Sequence, residues 1–161
     1  MEPVKVVIFD VDGILLDMVY TVYQIAPWLD KVKEHPHLWE ILRKLIILFS
    51  ASKVTDERIR KTAYMAANFA NNFLDYDKIF VITNRPFVFG GKKHLIRQLD
   101  YVYGEGIFHS ENIYSSFLTD KATVIKKHIF QSGMTGVMYD DHANNFKGVP
   151  EEIIQIVVLP Q

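Results

Sequence analysis

The chain has no cysteine among its 161 residues. That excludes disulfides, zinc–thiolate sites and thiol catalysis together. It also has little charge imbalance. The formal net charge is −1, so no global field draws in nucleic acid, and a local basic patch is the most that can exist. No long hydrophobic run is present either. The most apolar stretch, Leu38 to Phe49, is broken by Glu40, Arg43 and Lys44, too short and too charged to span a bilayer. Met1-Glu2-Pro3 leads straight into a strand pattern, which reads as no signal peptide. Nothing argues for secretion, and a cytoplasmic protein without membrane contact is the expectation. There are no repeats and no low-complexity tracts. The hydrophobic fraction of 49% and charged fraction of 23% are those of an ordinary globular chain, and the length suits one domain with a real core.

What is present begins with Val6-Val7-Ile8-Phe9-Asp10-Val11-Asp12-Gly13. Val4 to Phe9 is short, apolar and β-branched, the pattern of a buried parallel strand. Gly13 marks a turn just past its carboxyl end, the end at which open α/β sheets bind ligands. Asp10 and Asp12 lie two residues apart on extended chain, so their side chains start on one face. Crowded like charges are costly without a cation or a shared proton. The pair therefore suggests a hard metal, an acid/base pair, or both.

Further strands are expected at Lys78 to Thr83, around Gly106 to Phe108 (weakly), at Gly136 to Tyr139 and at Ile153 to Leu159. Helices are expected from His37 to Phe49, from a Thr55 N-cap to about Leu74, from Gly91 to Val102, and from a Thr119 or Asp120 cap to about Gln131, ended by Gly133. Strands alternating with helices indicate an α/β fold with a parallel sheet. About 60 residues separate the first two strands, far more than a crossover needs. Residues 18–75 are therefore read as a small helical cap inserted after the first strand, and 1–17 with 76–161 as the core domain. The cap's apolar faces, with Tyr20, Tyr23, Trp28 and Trp39, serve as its own small core or as a surface that stacks on a base or sugar. Phe87, Val88 and Phe89 are unusually apolar for a loop, and suit packing against the cap or a partner surface.

Later strands also end in polar groups: Thr83-Asn84-Arg85 after the second, Asp140-Asp141 after the fourth, with Lys121 opening the last helix. Strand ends in a parallel sheet lie side by side, so these groups can converge. Plain alternatives exist for each. Asp-Gly is a common turn, Thr83-Asn84 can cap a following segment, and lysines are ordinarily on the surface. Arg85 reaches either a substrate phosphate or a surface acid. His142 is read as a solvated loop histidine, and Asp17 as structural.

Together these residues resemble the haloacid dehalogenase superfamily. Asp10-Val11-Asp12-Gly13-Ile14-Leu15 is similar to its motif I, Val81-Ile82-Thr83-Asn84 to motif II, Lys121 to motif III, and Asp140-Asp141 with Asn144-Asn145 to motif IV. The resemblance implies a Rossmannoid three-layer α/β sandwich around a central parallel sheet. It implies Asp10 as nucleophile forming an aspartyl-phosphate, Asp12 as general acid and base, Thr83 as a phosphoryl hydrogen-bond donor, and Lys121 as charge balance. Substrate contacts fall to Thr83, Asn84, Arg85 and Lys121. Mg²⁺ is the implied cofactor, held by Asp10, the backbone carbonyl of Asp12 and a motif IV carboxylate, Asp141 with Asp140 in close support. An acid at Asp12 places the resemblance on the phosphatase or mutase side. Motif IV departs from the commonest pattern: Asp140 replaces a glycine and Asn145 replaces a second acid. A paired Asp is also found in nucleotidases and polynucleotide phosphatases. The expected activity is hydrolysis of a phosphomonoester, with a small phosphorylated metabolite, a nucleotide or a nucleic-acid end as substrate. A phosphomutase, or an idle fold kept as a binding module, remains the alternative.

Overall fold

The protein is described here by a computed structural model covering residues 2–17, 31–32, 34–39, 41–42 and 59–159. Five strands, β1 (Val4–Phe9), β2 (Lys78–Thr83), β3 (Ile113–Ser115), β4 (Met134–Asp140) and β5 (Ile153–Val157), form one sheet in the order β3-β2-β1-β4-β5. Every pairing is parallel. The helices are α1 (Ala63–Asn72), α2 (Gly91–Tyr103) and α3 (Lys121–Val124), the last continuing into a π-helical turn at Ile125–Ile129.

Strand periodicity sorts the core into two layers. Val7, Phe9, Val81 and Tyr139 face α1 and α2, where Met65, Phe69, Phe73, Leu95 and Leu99 meet them. Val6, Ile8, Phe80, Ile82 and Met138 face the opposite way, onto Ala122, Val124, Ile125, Ile129 and Phe146. The result is helix, sheet, helix. Right-handed crossovers require this division. The chain moves β1 to β2 to β3 in one direction, with α1 and α2 on one face, then returns past β1 to β4 and β5 with its connections on the other. At Gly136 an added Cβ would lie 2.4 Å from the Val6 carbonyl oxygen, so the central β1–β4 contact admits no side chain there.

Three expectations change. The third strand is Ile113–Ser115 rather than Gly106 to Phe108. Residues 104–108 turn instead, and Phe108 is buried by packing on Phe69 and Tyr103. The helix expected from Thr55 begins at Ala63. Its N-cap is Thr62, whose hydroxyl accepts from the Met65 N–H at 3.2 Å. Thr55 lies outside the described residues, and Ile59 is buried but not helical. α1 also packs on the sheet, with Phe73 edge-on to Phe9 at 5.1 Å between ring centroids. Ile59, Met65, Phe69 and Phe73, within the segment read as cap from sequence, lie in the same buried cluster as Val7 and Phe9. The last helix changes to π geometry after Val124 and ends before Gln131, the Phe130 N–H donating to the Ile125 carbonyl at 2.8 Å.

The expected helix from His37 is described only at 37–39 and 41–42, which are helical. Tyr20, Tyr23 and Trp28 lie outside the described residues. Where the chain leaves and rejoins the core, the two ends are fastened together. The Asp17 N–H donates to the Arg60 carbonyl at 3.0 Å, the two side chains pair at 2.9 Å, and Leu16 bridges antiparallel to Lys61. No helix among the described residues is long and apolar enough to cross a membrane.

Candidate active site

The sheet order reverses between β1 and β4, and the crevice outside the carboxyl ends of such a strand pair is where open α/β sheets bind ligands. The β1–β4 register pairs Phe9 with Tyr139, so Asp10 and Asp140 emerge beside each other. The Asp10 N–H donates to the Tyr139 carbonyl at 3.0 Å. Asp141 follows directly.

Lys121 enters from the first turn of α3. Asp120 caps that turn, accepting from the Thr123 N–H at 2.7 Å. The Lys121 ammonium lies 2.8 Å from Asp10 Oδ1 and 2.6 Å from Asp140 Oδ2, with its side chain 1% exposed. Burial pushes the Asp10 carboxyl up, and the charges of Asp140 and Asp12 push it further. Lys121 opposes them without cancelling them, and the result is about 7. Burial alone pulls Lys121 down, but Asp10 and Asp140 together raise it above the ordinary lysine value, so it stays an ammonium.

The carboxylates of Asp10, Asp140 and Asp141 present oxygens within 4.8 Å of one another. Asp140 already accepts three hydrogen bonds: Lys121 donates to Oδ2, while the His142 N–H and the Asn145 amide, each at 2.9 Å, donate to Oδ1. The Asn145 side chain therefore acts as a donor that holds Asp140. Asp141 is different. Its Oδ1 is buried with no hydrogen-bond partner, and burial raises its carboxyl above the ordinary aspartate value. With all three carboxylates ionised, the single ammonium would leave two negative charges. Hard oxygen donors, an orphaned buried oxygen and this surplus of negative charge are a set that could hold a hard divalent cation. Gly13 closes this side. Its φ is +89°, and a Cβ there would lie 2.5 Å from Asp141 Oδ2, so only glycine lets the loop after β1 approach so closely.

The Asp12 carboxylate is not in this cluster. It pairs with Arg85, whose Nε donates to both oxygens at 3.2 and 3.0 Å and whose Nη2 donates to Oδ1. Arg85 is buried, and its Nη1 donates to Gln98 Oε1 at 2.8 Å. Its partner is thus the site acid Asp12 rather than a surface acid. Thr83 is fully buried, and its hydroxyl oxygen accepts the Arg85 N–H at 3.1 Å. Asn84 is exposed, and its Oδ1 accepts from the Ser116 hydroxyl at 2.6 Å. Ser115 donates to the Arg85 carbonyl at 2.7 Å, tying the loops after β2 and β3. His142 is exposed and lies 3.7 Å from Asp141.

The structure therefore brings Asp10, Lys121, Asp140 and Asp141 together, with Asp12 and Arg85 as a second pair, and sets Thr83 and Asn84 in the turn that carries Arg85. Sequence reasoning missed Gln98, Ser115 and Ser116. Gln98 had a signal: it interrupts the buried stripe of Leu95, Leu99 and Tyr103 on α2. Comparison of the chain with protein-family models, curated proteins and solved structures found no match.

Proposed function

We propose that this chain is a magnesium-dependent phosphomonoester hydrolase of the haloacid dehalogenase type, acting through an aspartyl-phosphate on a small phosphorylated metabolite or nucleotide. The observation that carries the reading is the buried Asp10–Lys121–Asp140 arrangement beside the unpartnered Asp141 oxygen, at the strand pair where the sheet order reverses. The motif order along the chain supports it independently.

Asp10, Asp141 and Asp140 would hold the ion, which would neutralise phosphoryl oxygens and the nucleophile's own charge. An Asp10 carboxylate oxygen attacks phosphorus, and the bond to the ester oxygen breaks. Asp12, released from Arg85 and protonated from solvent, passes that proton to the departing oxygen. It then accepts a proton from water, whose oxygen attacks the acyl phosphate and returns Asp10 as a carboxylate with inorganic phosphate released. Lys121 keeps the nucleophile oriented, and its charge offsets that of the incoming group. Thr83 retains a hydroxyl proton to donate, since its oxygen serves Arg85 only as acceptor.

The test is hydrolysis of a panel of nucleoside monophosphates, sugar phosphates and 3′-phosphorylated oligonucleotides, with magnesium or EDTA. The expected result is metal-dependent release of phosphate, abolished in Asp10→Asn. Turnover that survives in Asp10→Asn refutes the nucleophile assignment.

A further inference from the structure

We propose that Arg85 presents one two-pronged anion seat, filled by Asp12 in the free protein and taken over by the substrate's phosphoryl group, with Gln98 holding the guanidinium in place for both. This inference rests on the hydrolase reading above and adds to it a binding event that releases Asp12.

The guanidinium is fixed on its other sides. Nη1 is committed to Gln98, itself 3% exposed. The Arg85 main chain is anchored at both polar groups, the N–H on Thr83 Oγ1 and the carbonyl under the Ser115 hydroxyl. Only the edge formed by Nε and Nη2 is left, and Asp12 occupies it. The partners differ in freedom: the Arg85 side chain is 6% exposed and that of Asp12 is 23% exposed. Asp12 is the member that can turn away. A phosphoryl group offers the same pair of oxygens to the same parallel donors. Asp12 cannot hold both oxygens against Arg85 and also reach a departing ester oxygen. Exchange at one seat resolves the conflict, and it makes the acid available only when a phosphoryl group is present. Gln98 is a positioning residue in this scheme. It touches no reacting atom and acts through Arg85.

The test uses the full chain with magnesium, ¹³C-labelled at aspartate, titrated with inorganic phosphate. Asp12→Asn assigns the Asp12 carboxyl resonance, and ³¹P line shape reports binding. As phosphate binds, the Asp12 resonance is expected to move toward its position in phosphate-free Arg85→Gln. In that variant, phosphate binds about tenfold more weakly or worse. Gln98→Met keeps the side-chain volume and removes the acceptor. It is expected to displace the Asp12 resonance before any phosphate is added and to raise KM for phenyl phosphate about tenfold. A purely structural Gln98 would lower Tm and leave KM and the resonance alone. Phosphate that fails to bind, or that saturates without moving Asp12, overturns the exchange. Magnesium-dependent turnover of phenyl phosphate, lost in Asp10→Asn, decides separately whether the hydrolase reading stands.

Discussion

Asp10 turns the geometry of the site into a measurable pH dependence. Its carboxyl rises from 3.8 to about 7, chiefly because burial strips water from the charged form, with Asp140 and Asp12 adding repulsion that Lys121 does not cancel. A folded-state value above the unfolded one means that the folded chain keeps a proton that the unfolded chain has lost. The stabilisation from this proton is full below the unfolded value and disappears as pH climbs through about 7. A rise of three pH units corresponds to about 4 kcal/mol, a large share of the stability of a small domain. The assay is urea unfolding of the metal-free protein across that window, beside Asp10→Asn, which keeps the shape and does not titrate. The stability of the native chain relative to the variant is expected to fall by roughly 4 kcal/mol from the acid end to the alkaline end. Magnesium should flatten the profile by favouring the ionised carboxylate. Above neutral pH it should stabilise the native chain by about 2.7 kcal/mol when present at a hundred times its dissociation constant. Parallel profiles for the two proteins without metal would refute the electrostatic account of the site.

Three further outcomes follow from single contacts. Asp141→Asn removes the orphaned carboxylate and should weaken magnesium binding more than about tenfold by calorimetry, with no loss of metal-free stability; unchanged affinity would exclude Asp141 as a ligand. Gly13→Ala must place a methyl 2.5 Å from Asp141 Oδ2 at a φ of +89°, and should destabilise by more than about 1 kcal/mol while weakening metal binding. An unaltered urea midpoint would show that the loop relaxes freely. Thr62→Ala removes both the cap on α1 and the hydroxyl donated to the Ile14 carbonyl at 2.6 Å; the expected loss is about 1–2 kcal/mol, read from the same unfolding curves.

The two central strands and their acids were legible because each is an apolar run that stops at a carboxylate, a pattern dictated by burial alone. Elements placed by tertiary contacts were not. Thr55, followed by Asp56 and Glu57, carries the better local signal for a helix start, whereas Thr62 has no acid in its first turn. Thr62 nevertheless caps α1, with its hydroxyl reaching across to Ile14 and the helix packed on Phe9. Gly106 to Phe108 and Ile113 to Ser115 are equally short, and only pairing with β2 separates strand from turn. Arg85 and Asp12 are 73 residues apart, so no local pattern relates them. The sequence leaves Arg85 open between a substrate phosphate and a surface acid, and the contacts that hold it, Asp12 and Gln98, lie on other elements.

The loop after β1 is where these constraints meet. Val11, Ile14, Leu15 and Leu16 are all fully buried, an unusual state for a connecting segment because its carbonyls must then find donors inside the protein. They find them on several elements. Thr62 before α1 donates to Ile14, Tyr103 of α2 donates to Leu15, and the Val11 and Leu16 carbonyls are satisfied within the loop itself. Arg85 holds the Asp12 side chain, and Asp141 packs against Gly13. Each of these partners belongs to the core layers or to the ends of their strands. The position of Asp12 and Gly13 relative to Asp10 is therefore set by the core. Asp17 and Arg60 border that region, fastening the chain that leaves the core to the chain that rejoins it.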